Sequence, residues 1–151
     1  MISEYENYHG VVLRSIIVES PSEISIDKFD QFGRLDAFIL NYATGVYIKY
    51  SSKRLSPWAF SFTLEQMHEL EKLTLRTQGS AWIAFVCGQD GVACIEVGEF
   101  ASVTEANAGG VASLRITRQR NALYRVSGNS GTLGRAIPKG VDKIVHAAFR
   151  K

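Results

Sequence analysis

The stretch Ala81-Trp82-Ile83-Ala84-Phe85-Val86-Cys87 is apolar at every position. Because strand side chains point alternately to the two faces of a sheet, a strand of this composition must be covered on both faces. The run is also far too short to span a bilayer as a helix. It therefore predicts the central strand of an α/β or α+β protein, in which a mixed sheet lies between other layers.

One strongly amphipathic helix is predicted just before this strand, over about residues 63–78. Thr63 and Gln66 have the spacing of a capping box, which satisfies free backbone N–H groups at a helix start. Gly79 is a typical residue for the end of a helix. Between these signals the apolar residues recur at helical spacing, at Leu64, Met67, Leu70 and Leu73.

A hairpin is predicted before the helix, with strands over residues 34–41 and 46–52 around a four-residue loop. In this register Phe38 lies opposite Lys49. Asp36 and Lys49 then point to the same face as diagonal neighbours. An odd-length turn would change this, because a slip of one residue moves the side chains of one strand to the other face.

A second hairpin is predicted after the central strand, where Asp90-Gly91 is a two-residue turn signal. Its second strand runs over Val92–Val97. In this register Cys87 lies directly opposite Cys94. The pair is interpreted as two reduced thiols on one face, and a regulatory cross-strand disulfide is the alternative.

The charge of the chain is unevenly distributed. Residues 1–110 carry 8 Lys+Arg against 14 Asp+Glu, whereas residues 111–151 carry 9 Lys+Arg against the single acid Asp142. Alternating apolar and polar residues in the basic part predict strands over 114–118 and 123–126. We therefore expect a single domain over 1–151, with an acidic α/β core of about 1–110 and a basic β-rich segment of about 111–151.

This asymmetry indicates either a polyanionic partner or a basic surface that docks on an acidic one. The second arrangement could lie within one molecule or between subunits, as in a homodimer. No membrane partner is expected, since no apolar run is long enough to cross a bilayer. The N-terminus also lacks the order of a signal peptide, and a cytoplasmic location is the default expectation.

The hairpin residues resemble the core of the PD-(D/E)XK, or restriction-endonuclease-like, nucleases. The resemblance is carried by Asp36, by Lys49 within Gly45–Lys49, and by the polar Ser51–Arg54 followed by the amphipathic helix. It implies that Asp36 binds a divalent metal, Mg²⁺, that activates water for attack on a phosphodiester. It also implies that Lys49 orients the nucleophile or stabilises charge. The alternative is a surface pair of little energetic value on a half-solvated sheet.

The sequence departs from this family at Tyr47, which stands where the second acid is expected. A phenol is a poor ligand for Mg²⁺, which prefers carboxylate oxygens. The missing acid could come from the N-terminal segment, at Glu4 or Glu6, or from the predicted helix, at Glu65 or Glu69. Glu6 is taken as the third catalytic candidate, because some family members use an acid from the first helix.

Cationic and aromatic residues near the hairpin, together with the C-terminal arginines, suit phosphate contacts and base stacking. The arginine fork is well matched to phosphate. The residues predicted to contact nucleic acid, with DNA favoured over RNA, are Lys53, Arg54, Trp58, Arg115, Arg118, Arg120 and Arg125. For Trp58 the alternative is that its ring closes one end of the core.

The sequence thus predicts a nucleic-acid-binding domain of restriction-endonuclease-like type. It would be either a nuclease that needs Mg²⁺ as its cofactor or a catalytically degenerate relative without one. The alternative function is a non-enzymatic protein–protein interaction module, or an oligomeric structural module, that uses the basic C-terminal strands.

Overall fold

The computed structural model describes residues 1–30, 33–106 and 109–150. Helices and strands alternate irregularly along the chain. In order they are α1 (Glu4–Glu19), β1 (Ile26–Phe29), β2 (Ala37–Leu40), β3 (Thr44–Ser51), β4 (Trp58–Phe62), α2 (Leu64–Arg76), β5 (Ala81–Cys87), β6 (Gly91–Glu96), α3 (Val97–Val103), β7 (Ala112–Thr117), β8 (Arg125–Gly128), β9 (Gly131–Thr132) and α4 (Asp142–Ala148).

The strands form two sheets. The main sheet has the order β1-β2-β3-β5-β6, and the second sheet has the order β4-β7-β8-β9. All neighbours are antiparallel except β3 and β5, which run parallel. Parallel neighbours need a crossover connection, and here α2 lies within that crossover. The fold is therefore α+β, with a mixed central sheet as predicted.

The main sheet is covered on both faces. Strand β5 is buried at every position, which confirms the expectation for the apolar run. One face packs against the inner side of the second sheet, which contributes Trp58, Phe60 and Phe62. The other face packs against α1 and α4. Burying each large apolar side chain contributes about 1.5–3 kcal/mol, so both layers are needed to hold the sheet.

The helices α1 and α2 begin at capping boxes. At α2 the Thr63 hydroxyl accepts from the Gln66 N–H at 3.2 Å, and the Gln66 side chain accepts from the Thr63 N–H at 2.9 Å. This confirms the predicted helix. The N-terminal segment, which sequence patterns left open between helix and strand, is helix α1, and Ser3 and Glu6 cap it in the same way.

The register of the first hairpin differs from the predicted one. Phe38 pairs with Val46 rather than with Lys49. The turn contains three residues instead of four, and its first two, Asn41 and Tyr42, have left-handed backbone angles (φ +48° and +63°). The expectation that Asp36 and Lys49 are same-face diagonal neighbours through strand pairing was therefore wrong.

The second hairpin differs in a similar way. Cys87 pairs with Gly91, and Cys94 pairs with Ala84. The connection is again three residues long, and it begins at Gly88, which has φ +55°. The two cysteines are therefore not opposite one another, and both are buried free thiols.

The acidic and basic parts of the chain are interleaved rather than separate. Strand β7 of the basic segment pairs with β4 of the acidic core, and α4 packs on the opposite side of the main sheet beside α1. Among the described residues, none of the helices has the length and apolar character needed to cross a bilayer.

Candidate functional site

A cluster of ionisable side chains lies where β2 begins beside β3, under α2. Asp36 immediately precedes β2, and its carbonyl accepts from the Ile48 N–H at 2.9 Å. The residue is buried. Nε of Arg34 lies 3.6 Å from Oδ2 of Asp36, so the carboxylate lies beside a guanidinium at the start of β2.

Glu69 provides the second carboxylate of this cluster. It lies on α2, one turn before Leu73, and this turn faces the sheet; only 1% of Glu69 is exposed. Its Oε1 accepts from Nη2 of Arg34 and from the hydroxyl of Tyr47, each at 3.0 Å. Its Oε2 is buried without a partner among the described residues, and an unsatisfied buried carboxylate oxygen is costly.

Tyr47 links this carboxylate to the family motif. It occupies the position where the resemblance predicts the second acid, and its buried hydroxyl donates to Glu69. Burial, followed by the charges of Asp36 and Glu69, raises the pKa of the phenol, so Tyr47 is a neutral donor. The structure thus places an acid of α2 beside Tyr47, the position at which the resemblance predicts a second acid.

Lys49 lies two residues further along β3. Its Nζ donates to the Ser61 carbonyl at 2.8 Å and to Oε1 of Gln66 at 3.3 Å. It also lies 4.6 Å from the centre of the Phe62 ring. Burial lowers the pKa of this ammonium to about 8, although the charge of Asp36 opposes the shift. An amine of this kind can hold or release a proton near neutral pH.

His9 approaches the same cluster from α1. Its ring is buried, and Nε2 lies 3.9 Å from Oδ1 of Asp36, beyond hydrogen-bond distance. Nε2 has no hydrogen-bond partner among the described residues. Burial lowers the pKa of the imidazole, so the ring is neutral near pH 7. Within the part of the chain that the structure describes, two buried polar atoms of this cluster, one on His9 and one on Glu69, therefore have no hydrogen-bond partner.

Glu6 lies elsewhere. It is exposed in the first turn of α1, and its carboxylate accepts from the backbone N–H and the hydroxyl of Ser3 at 3.2 and 3.1 Å. Its charge is used to cap the helix. Of the acids considered for the second position, Glu69 is the one that the structure places beside Tyr47.

The donors of this cluster fit a divalent cation of the Mg²⁺ type in part. Among the described residues, no three His, Cys, Asp or Glu side chains form a group that could hold a metal alone. Mg²⁺, however, is commonly held by one or two carboxylates together with water and substrate phosphates. Asp36 and Glu69 supply such a pair, and Oε2 of Glu69 is an oxygen without a partner in the described part of the chain. Arg34 bridges both carboxylates and would have to move aside.

The predicted nucleic-acid contacts near β3 divide into two kinds. Lys53 and Arg54 are exposed in the loop after β3. Trp58 is only 2% exposed, and its indole N–H donates to the Lys53 carbonyl at 2.8 Å. Its ring is part of the core and cannot stack on a base, so the prediction of a nucleic-acid contact at Trp58 is corrected to the core-closing alternative.

The C-terminal arginines also fall into two groups, one paired with a carboxylate and one exposed. Arg118 is tied by two hydrogen bonds to the carboxylate of Asp90, at 2.8 and 2.7 Å, and is not free to contact a phosphate. The remaining three candidates are exposed, and no ion pair of theirs occurs within the described part of the chain: Arg115, Arg120 and Arg125.

Sequence reasoning missed part of this cluster. No sequence pattern indicated that Arg34 belongs to a site, because a single arginine before a strand has many ordinary roles. His9 was one of three scattered histidines without ligand spacing. Glu69 could have been favoured over Glu6, since it lies four residues before Leu73 and so on the same helical face as an apolar core residue.

Comparison with family models, with curated proteins and with solved structures found no match for this chain.

Proposed function

We propose that this protein is a nucleic-acid-binding domain of restriction-endonuclease-like type, with a metal-dependent phosphodiesterase centre at Asp36, Glu69 and Lys49. The carboxylate of Glu69 is the observation that carries the proposal. It is almost fully buried, one oxygen has no partner within the described residues, and the other is shared by Tyr47 and Arg34. Such a carboxylate near a second acid and a lysine of lowered pKa is typical of a reactive site.

The order of the elements supports this proposal. The resemblance rests on a strand with an aspartate, a strand with a lysine, an amphipathic helix and two further strands. Here these are β2, which Asp36 precedes, then β3, which carries Lys49, and then α2, β5 and β6, with the additional strand β4 of the second sheet between β3 and α2. Arg34 contacts both Asp36 and Glu69, and Tyr47 of β3 donates to Glu69 of α2. Lys49 lies two residues beyond Tyr47, and the charges of both acids act on its pKa.

Each residue then has a chemical role. Asp36 and Glu69 would hold Mg²⁺, with water and a substrate phosphate completing its coordination. When bound, the ion supplies Lewis-acid polarisation of the phosphodiester and activation of water. Tyr47 donates to Glu69 and fixes the orientation of that carboxylate. Lys49 in its charged form donates to a phosphate oxygen, a charge-assisted hydrogen bond.

A catalytically degenerate nucleic-acid-binding domain is the second candidate function, and Arg34 is the observation that favours it. Its guanidinium contacts both carboxylates at 3.0 and 3.6 Å. A cluster neutralised in this way by the protein's own cation can persist without a metal. Both candidate functions include nucleic-acid binding, and they differ in whether the protein cleaves a phosphodiester.

The reaction is tested on single-stranded, duplex and branched DNA and on RNA, with Mg²⁺ or Mn²⁺. We expect cleavage by the wild type and a loss on the order of 10- to 100-fold or more in Glu69→Gln and Asp36→Asn, the range for groups around a metal. Glu71→Gln is the matched control, because Glu71 lies on the same helix but is exposed. Circular dichroism checks that each variant is folded.

Three outcomes decide between the candidates. Cleavage lost in Glu69→Gln and kept in Glu71→Gln supports the phosphodiesterase. A wild type that binds nucleic acid but cleaves none of the substrates overturns the phosphodiesterase and favours the degenerate domain. A wild type without affinity for any nucleic acid at low salt overturns both and favours the non-enzymatic interaction module.

A further inference from the structure

The second sheet has one face in the core and one face in solvent. Along β4, β7 and β8 buried and exposed residues alternate, so the outward positions follow directly from the pattern. We call this surface the outer face. Its outward residues are small, hydroxyl-bearing or cationic, and they are Ala59, Ser61, Ser113, Arg115, Thr117, Arg125, Ser127 and Thr132.

Both charged residues at these outward positions are arginines. Arg115 lies between two small residues, because its register partners are Ala59 on one side and Ser127 on the other. Arg125 lies opposite Thr117 and is therefore the diagonal neighbour of Arg115, about 7–8 Å away between backbones. The Arg115 side chain is therefore flanked by small residues on both neighbouring strands.

Two other arginines of the basic segment are paired with carboxylates of the protein itself, unlike Arg115 and Arg125 in the described part of the chain. Arg118 is bound to Asp90, and Arg135 is bound to Glu99 at 2.6 and 2.8 Å. No carboxylate pairs with Arg115 or Arg125 among the described residues. The outer face therefore presents positive charge that is available to an anionic ligand.

The shape and chemistry of the outer face suit a polar backbone. A shallow depression of about 430 Å³ lies beside Arg115, and hydroxyl or amide groups of Ser61, Ser113, Ser127 and Asn129 line it. Within the described residues, none of the exposed large hydrophobic residues belongs to the four strands of this sheet. Protein interfaces are typically centred on aromatic and large apolar residues, so a nucleic acid fits this face better than a protein.

Among the described residues, the strands of the outer face present no outward aromatic ring for base stacking. The aromatic residues of β4, Trp58, Phe60 and Phe62, all point into the core. Proteins that bind single strands usually stack bases on exposed aromatic rings. A face with arginines and hydroxyl groups but without outward rings is suited to phosphates and sugars, and these are densest along a duplex.

We infer that the outer face of the second sheet binds the phosphate backbone of duplex DNA, without base specificity, through Arg115 and Arg125. The inference rests on the proposed function in one respect, namely that the ligand is a nucleic acid. Since each phosphate contact releases condensed counterions, the affinity must fall linearly on a log–log plot against salt concentration.

The test measures the binding of the full chain to a short labelled duplex by fluorescence anisotropy over a range of KCl concentrations. We expect Arg115→Ala and Arg125→Ala each to reduce the salt slope by about 1, and the double variant to reduce it by about 2. Ser113→Glu should weaken binding further by placing a negative charge in the depression. Arg14→Ala is the control, because Arg14 is an exposed arginine of α1, on the far side of the main sheet.

The outcomes separate this inference from the proposed function. Binding whose slope falls in the two arginine variants but not in Arg14→Ala supports the outer face. Binding that is unchanged in the double variant and in Ser113→Glu overturns the outer face and leaves the proposed function standing. Tighter binding of a single strand of equal length overturns the assignment to duplex DNA. No binding of any nucleic acid overturns the proposed function itself.

Discussion

At the scale of single residues, Arg34 is the side chain on which the cluster depends. Glu69 is almost completely buried, whereas 43% of the Arg34 side chain is exposed. Buried carboxylates need a nearby cation, because their desolvation is otherwise too costly. Arg34 supplies that positive charge from the solvent side, where it can also leave. The guanidinium therefore holds the position that the proposed metal ion would take.

Replacing Arg34 should accordingly expose a cation site. We expect Arg34→Gln to bind Mn²⁺ more tightly than the wild type by roughly 10-fold or more, because the guanidinium charge no longer competes with the metal for the two carboxylates. Isothermal titration calorimetry with the metal alone measures this without any substrate. Arg76→Gln is the control, since Arg76 is an exposed arginine at the end of α2.

The same experiment can contradict the assignment. Adding Glu69→Gln to Arg34→Gln should abolish the gain in Mn²⁺ affinity, because the carboxylate that lost its guanidinium partner is then replaced by an amide. If Arg34→Gln is folded but binds Mn²⁺ no better than the wild type, then Arg34 does not occupy a cation site and serves only as an ion-pair partner of the two acids.

At the scale of elements, the two hairpins show what local sequence patterns could predict and what they could not. The strands and α2 followed from periodicity and capping. The registers did not, because both connections contain three residues. A left-handed backbone at Tyr42 is uncommon for a bulky residue, so the sequence favoured a longer loop there. The observed register places Tyr47 and Lys49 on the face covered by α2.

Close contact between elements predicts the effect of two glycine substitutions. A Cβ atom at Gly128 of β8 would overlap the backbone carbonyl of Val103 at the end of α3, whereas a Cβ atom at Gly98 would meet no described residue within 4 Å. We expect Gly128→Ala to lower the free energy of unfolding by at least about 1–3 kcal/mol, the cost of overpacking. Gly98→Ala should raise it by about 0.5–1 kcal/mol, because alanine favours the helix.

Urea denaturation of the two variants checks this contrast. Both changes add one methyl group and reduce the flexibility of the unfolded chain in the same way, so the difference between them reports the folded state. Equal stabilities would show that β8 and α3 do not approach one another as closely as the structure indicates.

At the scale of the whole molecule, the uneven charge of the sequence becomes a partly neutralised surface. Among the described residues, two ion pairs join the acidic and basic parts of the chain, Asp90–Arg118 and Glu99–Arg135. The sequence revealed the excess charge but not this division, because partners distant in sequence meet only in the folded chain. The expectation of a basic surface paired with an acidic one therefore holds within the molecule for Arg118 and Arg135. A polyanionic partner for the other arginines stays a prediction.

The Asp90–Arg118 pair also joins the two sheets, and its loss should be detectable as a dependence of stability on pH. Asp90 lies in the turn between β5 and β6 of the main sheet, while Arg118 and Tyr124 flank strands of the second sheet. Their side chains donate to the Asp90 carboxylate at 2.7–2.8 Å. The hydrogen bonds from Arg118, and then that from Tyr124, lower the pKa of this carboxyl from 3.8 to about 2, against the effect of burial.

A carboxyl group with a lowered pKa in the folded state stabilises the fold above its unfolded pKa, and this stabilisation is lost as the pH falls through the folded value. We therefore expect Asp90→Asn to lower the urea midpoint at about pH 7, and the difference from the wild type to shrink at about pH 3. Asp30→Asn, at an exposed aspartate that forms no ion pair within the described residues, should show neither effect. A difference that is equally large at both pH values would mean that the charge of Asp90 does not hold the sheets together, and that the substituted amide disturbs the turn by its shape alone.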